Sequence, residues 1–216
     1  MIILYVILEY FCGSLMFSYW LARMAKKDLT QVGDGNPGAF NLWQAAGYKF
    51  GIVGVLLDFL KGYFPLVFLV EHGYIEGMEV IPVALAAILG HIFSPFLRFK
   101  GGKAIAVTFG VWSALTGFKV SLVYAIILAV LLLVSRQISK GKPASTEIDG
   151  LMVVTGMALA GIYLFMQRYE GHLIIFWLCN LFLLVYTNRF KLHKLAKEVV
   201  AKDSKADVAP RFRDSD

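Results

Sequence analysis

Long apolar runs separated by short polar stretches dominate this chain. Seven such runs lie at residues 2–22, 50–70, 80–97, 104–117, 120–134, 150–165 and 173–186. A hydrocarbon core about 30 Å thick takes roughly 20 apolar residues of helix, and runs of that kind have no polar face to offer to water. The pattern predicts an all-α polytopic membrane protein with seven transmembrane helices. The runs at 104–117 and 120–134 are short by that measure, so one of them is a candidate for a re-entrant or deeply buried segment. The first run lacks a basic leader and a small-residue cleavage site and has full spanning length, so it reads as a retained span rather than a cleaved signal.

Composition agrees with the pattern. Of 216 residues, 58% are hydrophobic and 17% charged, with a mean hydropathy of +0.68, which excludes an ordinary soluble domain and a disordered, nucleic-acid-wrapping chain. The net charge of +6 therefore implies no nucleic-acid partner. It is a matter of placement. Of the 21 lysines and arginines, all but Lys61, Lys119 and Arg168 follow the first, third, fifth or seventh run. Because cytoplasmic loops carry the excess of basic residues, the N-terminus is expected outside and the C-terminus in the cytoplasm. The opposite side fits, since the 71–79 loop holds Glu71, Glu76 and Glu79 and no basic residue. The chain turns polar near its end, giving one transmembrane domain over 1–196 and a polar cytoplasmic tail over 197–216, expected to be disordered and close to lipid head groups. Cys12 and Cys179 both lie in apolar runs and read as core thiols.

Three internal features carry candidate chemistry. The first is the loop Val32-Gly33-Asp34-Gly35-Asn36-Pro37-Gly38-Ala39-Phe40-Asn41, whose glycines let backbone N–H groups approach an anion, although a tight turn held by Asp34 and Asn36 would use the same residues. The second is Phe99-Lys100-Gly101-Gly102-Lys103 before the fourth run. Here free N–H groups, a helix N-terminus and a cationic side chain favour a phosphate, while Lys100 and Lys103 would serve equally as membrane-surface anchors. It is not a Walker loop, because the earlier glycine and the following Ser or Thr are missing. The third is Asp58 and Lys61, three residues apart inside the second run, where charge is expensive and must either pair or serve a function. Pro65 marks a possible kink one turn on. His91 is a lone histidine without partners at metal-ligand spacing, and Glu9 is an isolated acid expected to make a polar contact inside the bundle. The glycine-rich and basic loops fall on one side of the charge-derived topology, which points to an anion site at the inner membrane surface, open to a lipid-soluble partner.

These residues resemble the acyl-phosphate:glycerol-3-phosphate acyltransferase family, the PlsY type of bacterial inner membranes. Three blocks carry the resemblance. They are Gly13-Ser14 with Arg23 and the run from Gly33 to Asn41; Asp58-Phe59-Leu60-Lys61-Gly62 with Pro65; and the stretch from Gly90 and His91 through Gly101-Gly102-Lys103. The resemblance implies a seven-span enzyme of the bacterial inner membrane, its site facing the cytoplasm, that moves a fatty acyl group from acyl phosphate to the 1-hydroxyl of glycerol 3-phosphate. The products are lysophosphatidic acid and phosphate, and no cofactor or metal is needed. It implies Asn36, Lys103 and His91 as the catalytic group, and Gly33, Asp34, Gly35, Gly38, Asn41, Asp58, Lys61, Gly101 and Gly102 around the substrates, with His91 placing loops or a hydroxyl. The chain departs from the family where Asp34 replaces a usual Ser and Phe40 a usual Thr. It also has a longer polar loop from Arg136 to Glu147, and of the family's C-terminal histidine and asparagine it keeps only Asn188. A diverged paralogue, with another acceptor or with binding alone, is the competing reading.

Overall fold

The computed structural model describes residues 1–141 and 145–208, and among these there are α- and 3-10 helices and no strand. The helices are α1 (Ile2–Ser14), α2 (Phe17–Met24), α3 (Ala39–Ala46), α4 (Tyr48–Glu71), α5 (Val80–Ile92), α6 (Ile105–Thr116), α7 (Lys119–Ile138), α8 (Thr146–Met166) and α9 (Gly171–Val208). Six stretches of the described residues are long and apolar enough to cross a membrane, beginning at Ile2, Tyr48, Gly77, Lys119, Thr146 and Gly171, and Ile105–Thr116 is a shorter apolar helix. α4 continues through Pro65.

The first run is one candidate span, Ile2–Met24, but its helix is interrupted. Leu15 takes an extended conformation between α1 and α2, with ψ at 119°. Backbone freed inside an apolar bundle must find new partners. Ser94 Oγ donates to the Ser14 carbonyl at 2.7 Å, and Lys61 Nζ donates to the Leu15 carbonyl. Partners from other helices, invisible in local sequence, make the break tolerable.

Close packing comes from glycines that let backbones meet, the usual device where apolar lipid removes any drive to hide apolar side chains. A Cβ on Gly13 of α1 would lie 2.0 Å from the Ala87 carbonyl oxygen of α5, and one on Gly90 of α5 would lie 2.1 Å from the Tyr10 carbonyl oxygen of α1. A Cβ on Gly110 of α6 would similarly meet the Phe59 carbonyl oxygen of α4 at 2.2 Å. No residue of the short helix α6 is exposed. Its Trp112 indole donates to Asn180 Oδ1 of α9 at 3.0 Å, and Asn180 Nδ2 donates to Thr108 Oγ1 at 3.3 Å. α6 starts beside Lys103 and ends at a groove that Thr116 and Gly117 share with Arg168 and Glu170 of the α8–α9 turn, so it joins the two ends of the bundle.

Two details differ from expectation. α9 runs to Val208, so the polar segment from residue 197 is helical over its first part, and 209–216 lie outside the described residues. Lys, Ala and Glu are good helix formers, and a helix already anchored by an apolar span propagates without a new nucleus. Glu9 is fully buried between α1 and its neighbours, yet neither carboxylate oxygen has a hydrogen-bond partner among the described residues. The polar contact expected of it is absent there. Cys12 and Cys179 are free and half-buried.

Candidate active site at one end of the bundle

The glycine-rich loop enters through a 3-10 turn, Leu29–Gln31, whose start is capped by Asp28 accepting from Thr30 N at 3.0 Å. Gly33 and Gly35 then take φ values of +56° and +72°, which L-residues resist. Asn41, at the start of α3, staples the loop. Its amide donates to the carbonyls of Val32 and Asn36 at 2.8 and 3.0 Å and to Asp34 Oδ1 at 3.1 Å. Asn41 therefore shapes the cradle. Gly38 has its own reason: a Cβ there would sit 2.6 Å from Asn36 Nδ2, so glycine leaves room for the Asn36 side chain.

The second loop clasps the end of α5. Gly101 N donates to the Ile92 carbonyl at 2.9 Å and Gly102 N to the His91 carbonyl at 3.0 Å. Their N–H groups are thus spent on helix-terminal carbonyls, and the free N–H nest expected at Gly101 and Gly102 does not form. What these glycines supply is proximity. A Cβ on Gly101 would lie 1.9 Å from the His91 carbonyl oxygen and one on Gly102 would lie 2.3 Å from His91 Nε2. Lys103 is delivered at the loop's end, where α6 begins.

Asp34 joins the two loops to α9. Its Oδ2 receives Lys103 Nζ, and Lys191 Nζ at 2.8 Å, while Oδ1 receives Asn36 N at 3.2 Å besides Asn41. Burial pushes the Asp34 carboxyl up, but the hydrogen bonds from Lys103 and Lys191 outweigh it and hold the group well below the usual carboxylate range. For Lys103, burial and the neighbouring Lys191 together pull the ammonium down to about 8 against the stabilising charge of Asp34.

Two chambers, each of about 460 Å3, meet at this cluster, and Asp34, Asn36, Lys103 and Lys191 line both. One is amphipathic, its walls formed by Ile105, Leu128, Leu132, Met152 and Val153, with Asp149 and Arg136 also on its lining. The other is cationic, adding Lys100, Arg189, Gly101 and Gly102. A separate groove of about 700 Å3 between α4, α6 and α7 has Ile52, Phe59, Phe109 and Leu122 on its walls and, among the described residues, no charged one. An alkyl chain with a phosphate at its end matches the first chamber, which offers both surfaces.

Asp58, Lys61 and His91 line neither chamber. Lys61 Nζ lies 2.8 Å from Asp58 Oδ1 and 2.8 Å from His91 Nδ1, and Asp58 Oδ2 accepts from Ser18 Oγ at 2.7 Å. This network ties α4 to the α1–α2 break and to α5. His91, expected in the catalytic group, stands behind Gly101 and Gly102. Arg23 also lines neither chamber. Sequence reasoning missed Lys191, counted there only as one of many basic residues, and Asp149. Their signal was weak but present, since Asn188 and Lys191 stand three apart and share a face of α9.

The family model described as glycerol-3-phosphate acyltransferase matches residues 3–198. The chain belongs to that family. Among its relatives, the glycerol-3-phosphate acyltransferase 1 of Thermotoga maritima is 37% identical over 198 residues, covering 90% of this chain and 97% of the relative. The glycerol-3-phosphate acyltransferase of Aquifex aeolicus is 31% identical over 190 residues, covering 88% and 93%. The crystal structure of PlsY (YgiH), an integral membrane glycerol 3-phosphate acyltransferase, in its glycerol 3-phosphate form superposes with a TM-score of 0.80 at 29% identity, covering 91% of this chain and 92% of that one. Its lysophosphatidic acid form gives 0.78. Asp34, the departure noted in the sequence, here bridges two lysines.

Proposed function

We propose that this chain transfers a fatty acyl group from acyl phosphate to the 1-hydroxyl of glycerol 3-phosphate, releasing lysophosphatidic acid and inorganic phosphate. The observation that carries the reading is the meeting of an amphipathic and a cationic chamber at Lys103 and Lys191. Two phosphorylated substrates, one with an alkyl chain, need two such spaces with a shared cationic wall. An acyl phosphate is an activated mixed anhydride, so the protein's work is to hold two anions in line and to stabilise charge on the carbonyl and the departing phosphate. The amphipathic chamber takes the donor's head and the start of its chain, and Lys100 and Arg189 draw the acceptor's phosphate into the other. Asn36, on the wall of both, has an amide to offer at the junction.

Seven crossings, with the N-terminus outside and the site at the cytoplasmic face of a bacterial inner membrane, complete the reading. The charge count supports it, as does α6, a twelve-residue helix that links the two ends of the bundle while enclosed by its neighbours. Lining residues with basic side chains gather at the end where α5 finishes and α6 starts, the side that the positive-inside rule assigns to the cytoplasm.

The test is turnover by the purified protein in detergent with palmitoyl phosphate and glycerol 3-phosphate, followed as phosphate release. Lys103→Ala is expected to lower kcat/KM by about 10²–10³-fold, the scale for removing one charge-stabilising donor. Well-folded wild type without turnover overturns the proposal in favour of a phosphate-lipid binder.

A further inference from the structure

The end of the bundle away from the candidate site carries a second charged groove. It has a volume of about 780 Å3 and lies between the α6–α7 and α8–α9 turns, with Thr116, Lys119, Tyr163, Arg168, Tyr169 and Glu170 on its walls. The twelve residues of α6, about 18 Å of helix at 1.5 Å per residue, separate it from Lys103. Of the three basic residues outside the main charge pattern, Lys61 is buried in the α4 network, and the other two, Lys119 and Arg168, both line this groove. The side that the charge count leaves poor in lysine and arginine thus brings the two it has, from turns distant in sequence, to one concave surface. Neither side chain forms a hydrogen bond or an ion pair among the described residues. Glu170, the acid on the same walls, has His172 Nδ1 3.4 Å from its Oε2. Apolar surface begins beside the cations: Phe118 and Leu122 of the α7 start, and Ile162, Phe165 and Met166 near the end of α8, are all exposed. The rings of Tyr163 and Tyr169, with centroids 6.0 Å apart, stand between, as tyrosines do at the depth of lipid head groups.

We propose that this groove binds the head group of an anionic diacyl phospholipid, its phosphate held by Lys119 and Arg168 and its chains laid on the exposed apolar surface of α7 and α8. The guanidinium fork of Arg168 suits two phosphate oxygens, and the Lys119 ammonium adds a point charge. A zwitterionic head group would bring a third cation towards two that Glu170 alone offsets, so the lipid without an amine is favoured. Soluble phosphate could meet the same cations but would gain nothing from the flanking apolar surface. Such a lipid spans two turns of the bundle and binds only when both are in place, so it stabilises the folded chain. Nothing in this binding depends on acyl transfer, and it stands or falls apart from the proposed function.

The experiment titrates the full chain, in a neutral detergent, with phosphatidylglycerol or phosphatidylcholine of matched chains, and reads bound lipid by native mass spectrometry together with the melting temperature. Wild type is compared with Lys119→Gln, Arg168→Gln, the double variant and Lys27→Gln, which removes the same charge from an exposed lysine after the first run. Wild type should prefer phosphatidylglycerol by about tenfold, and each groove substitution should weaken its binding about fivefold, the scale of one cation at a lipid surface. The double variant should bind both lipids alike, and Lys27→Gln should behave as wild type. The rise in melting temperature with phosphatidylglycerol should shrink in the same order. Lys119 and Arg168 are exposed, so their truncation removes no packing; should the double variant not melt cooperatively, the single variants carry the comparison. An equal loss of both lipids, or an equal effect of Lys27→Gln, would make these cations general surface anchors and overturn the proposal. Stabilisation by inorganic phosphate that matches that by phosphatidylglycerol and disappears in the double variant would also overturn it, since the ligand would then be a soluble anion.

Discussion

Two clusters of carboxylate and amine bracket the loops of this protein, and they differ in how much water they keep. In the network beneath the loops, the side chains of Lys61 and Asp58 are each 2% exposed. At the junction of the chambers, Lys103, Asp34 and Lys191 are 17%, 21% and 16% exposed. In the first cluster the amine meets a carboxylate, an imidazole and a carbonyl, all from the protein. In the second, one carboxylate is shared between two cations, which leaves positive charge unspent on walls that a ligand can reach. Charge inside the bundle is saturated by protein partners, and charge at its edge is left accessible to a ligand.

Removing one member of each cluster separates the two roles most sharply. Lys61→Ala leaves Asp58 buried without its cation, and breaking a buried pair in this way costs about 3–5 kcal/mol. A large fall in melting temperature in detergent is expected, with loss of activity as a consequence, because Lys61 also carries the carbonyl freed at the α1–α2 break. Lys103→Ala should do the reverse, removing turnover while shifting the melting temperature little. Equal destabilisation by the two substitutions would erase the distinction.

The same contrast explains what could be read from sequence. Asp58 and Lys61 were legible because their pairing is local, three residues along one helix. The positive-φ turn at Gly33 and Gly35 was legible from residue type. The bridge from Asp34 to Lys191 was not, since it joins a loop before α3 to the middle of α9 and depends on how the bundle closes. Nor was the fate of the Gly101 and Gly102 N–H groups, which α5 claims because its last carbonyls lie under the loop. The break after Ser14 was hidden for a similar reason, as its compensating donors come from residues 61 and 94. Span existence followed from hydrophobic length alone, whereas the pairing of His91 with Lys61 behind the second loop joins residues 30 apart and was not legible.

Acidity offers a second way to sharpen the comparison. Lys103 titrates at about 8 in the free protein, mainly because of burial. Below that pH the ammonium is charged and can meet a phosphate; above it the charge is lost. The value of kcat/KM, which reports the free enzyme, should therefore fall about tenfold for each pH unit above about 8. Lys103→Arg, whose guanidinium stays charged throughout, should remove that limb even where its rate is lower. A limb that persists unchanged in Lys103→Arg would assign the titration elsewhere.

The smallest expected effect tests Asp34 itself. Its Oδ2 pairs with both Lys103 and Lys191, so a phosphate drawn to these lysines must share them with it or displace it. Exchange for the family's usual residue, Asp34→Ser, removes that competing anion while retaining a small polar group beside Asn36 and Asn41. Hydrogen bonds to charged groups are worth about 1.5–3 kcal/mol each, and rehydration of the freed lysines returns part of that. Inorganic phosphate should then inhibit Asp34→Ser about tenfold more strongly than wild type, a change of about 1.4 kcal/mol, and added salt should weaken the inhibition more steeply because more unpaired charge is being screened. The measurement is the phosphate inhibition constant at low and moderate ionic strength. Weaker inhibition would mean that Asp34 supports the cradle more than it competes for it, and the unsaturated character of this cluster would then reside in Lys100 and Arg189 instead.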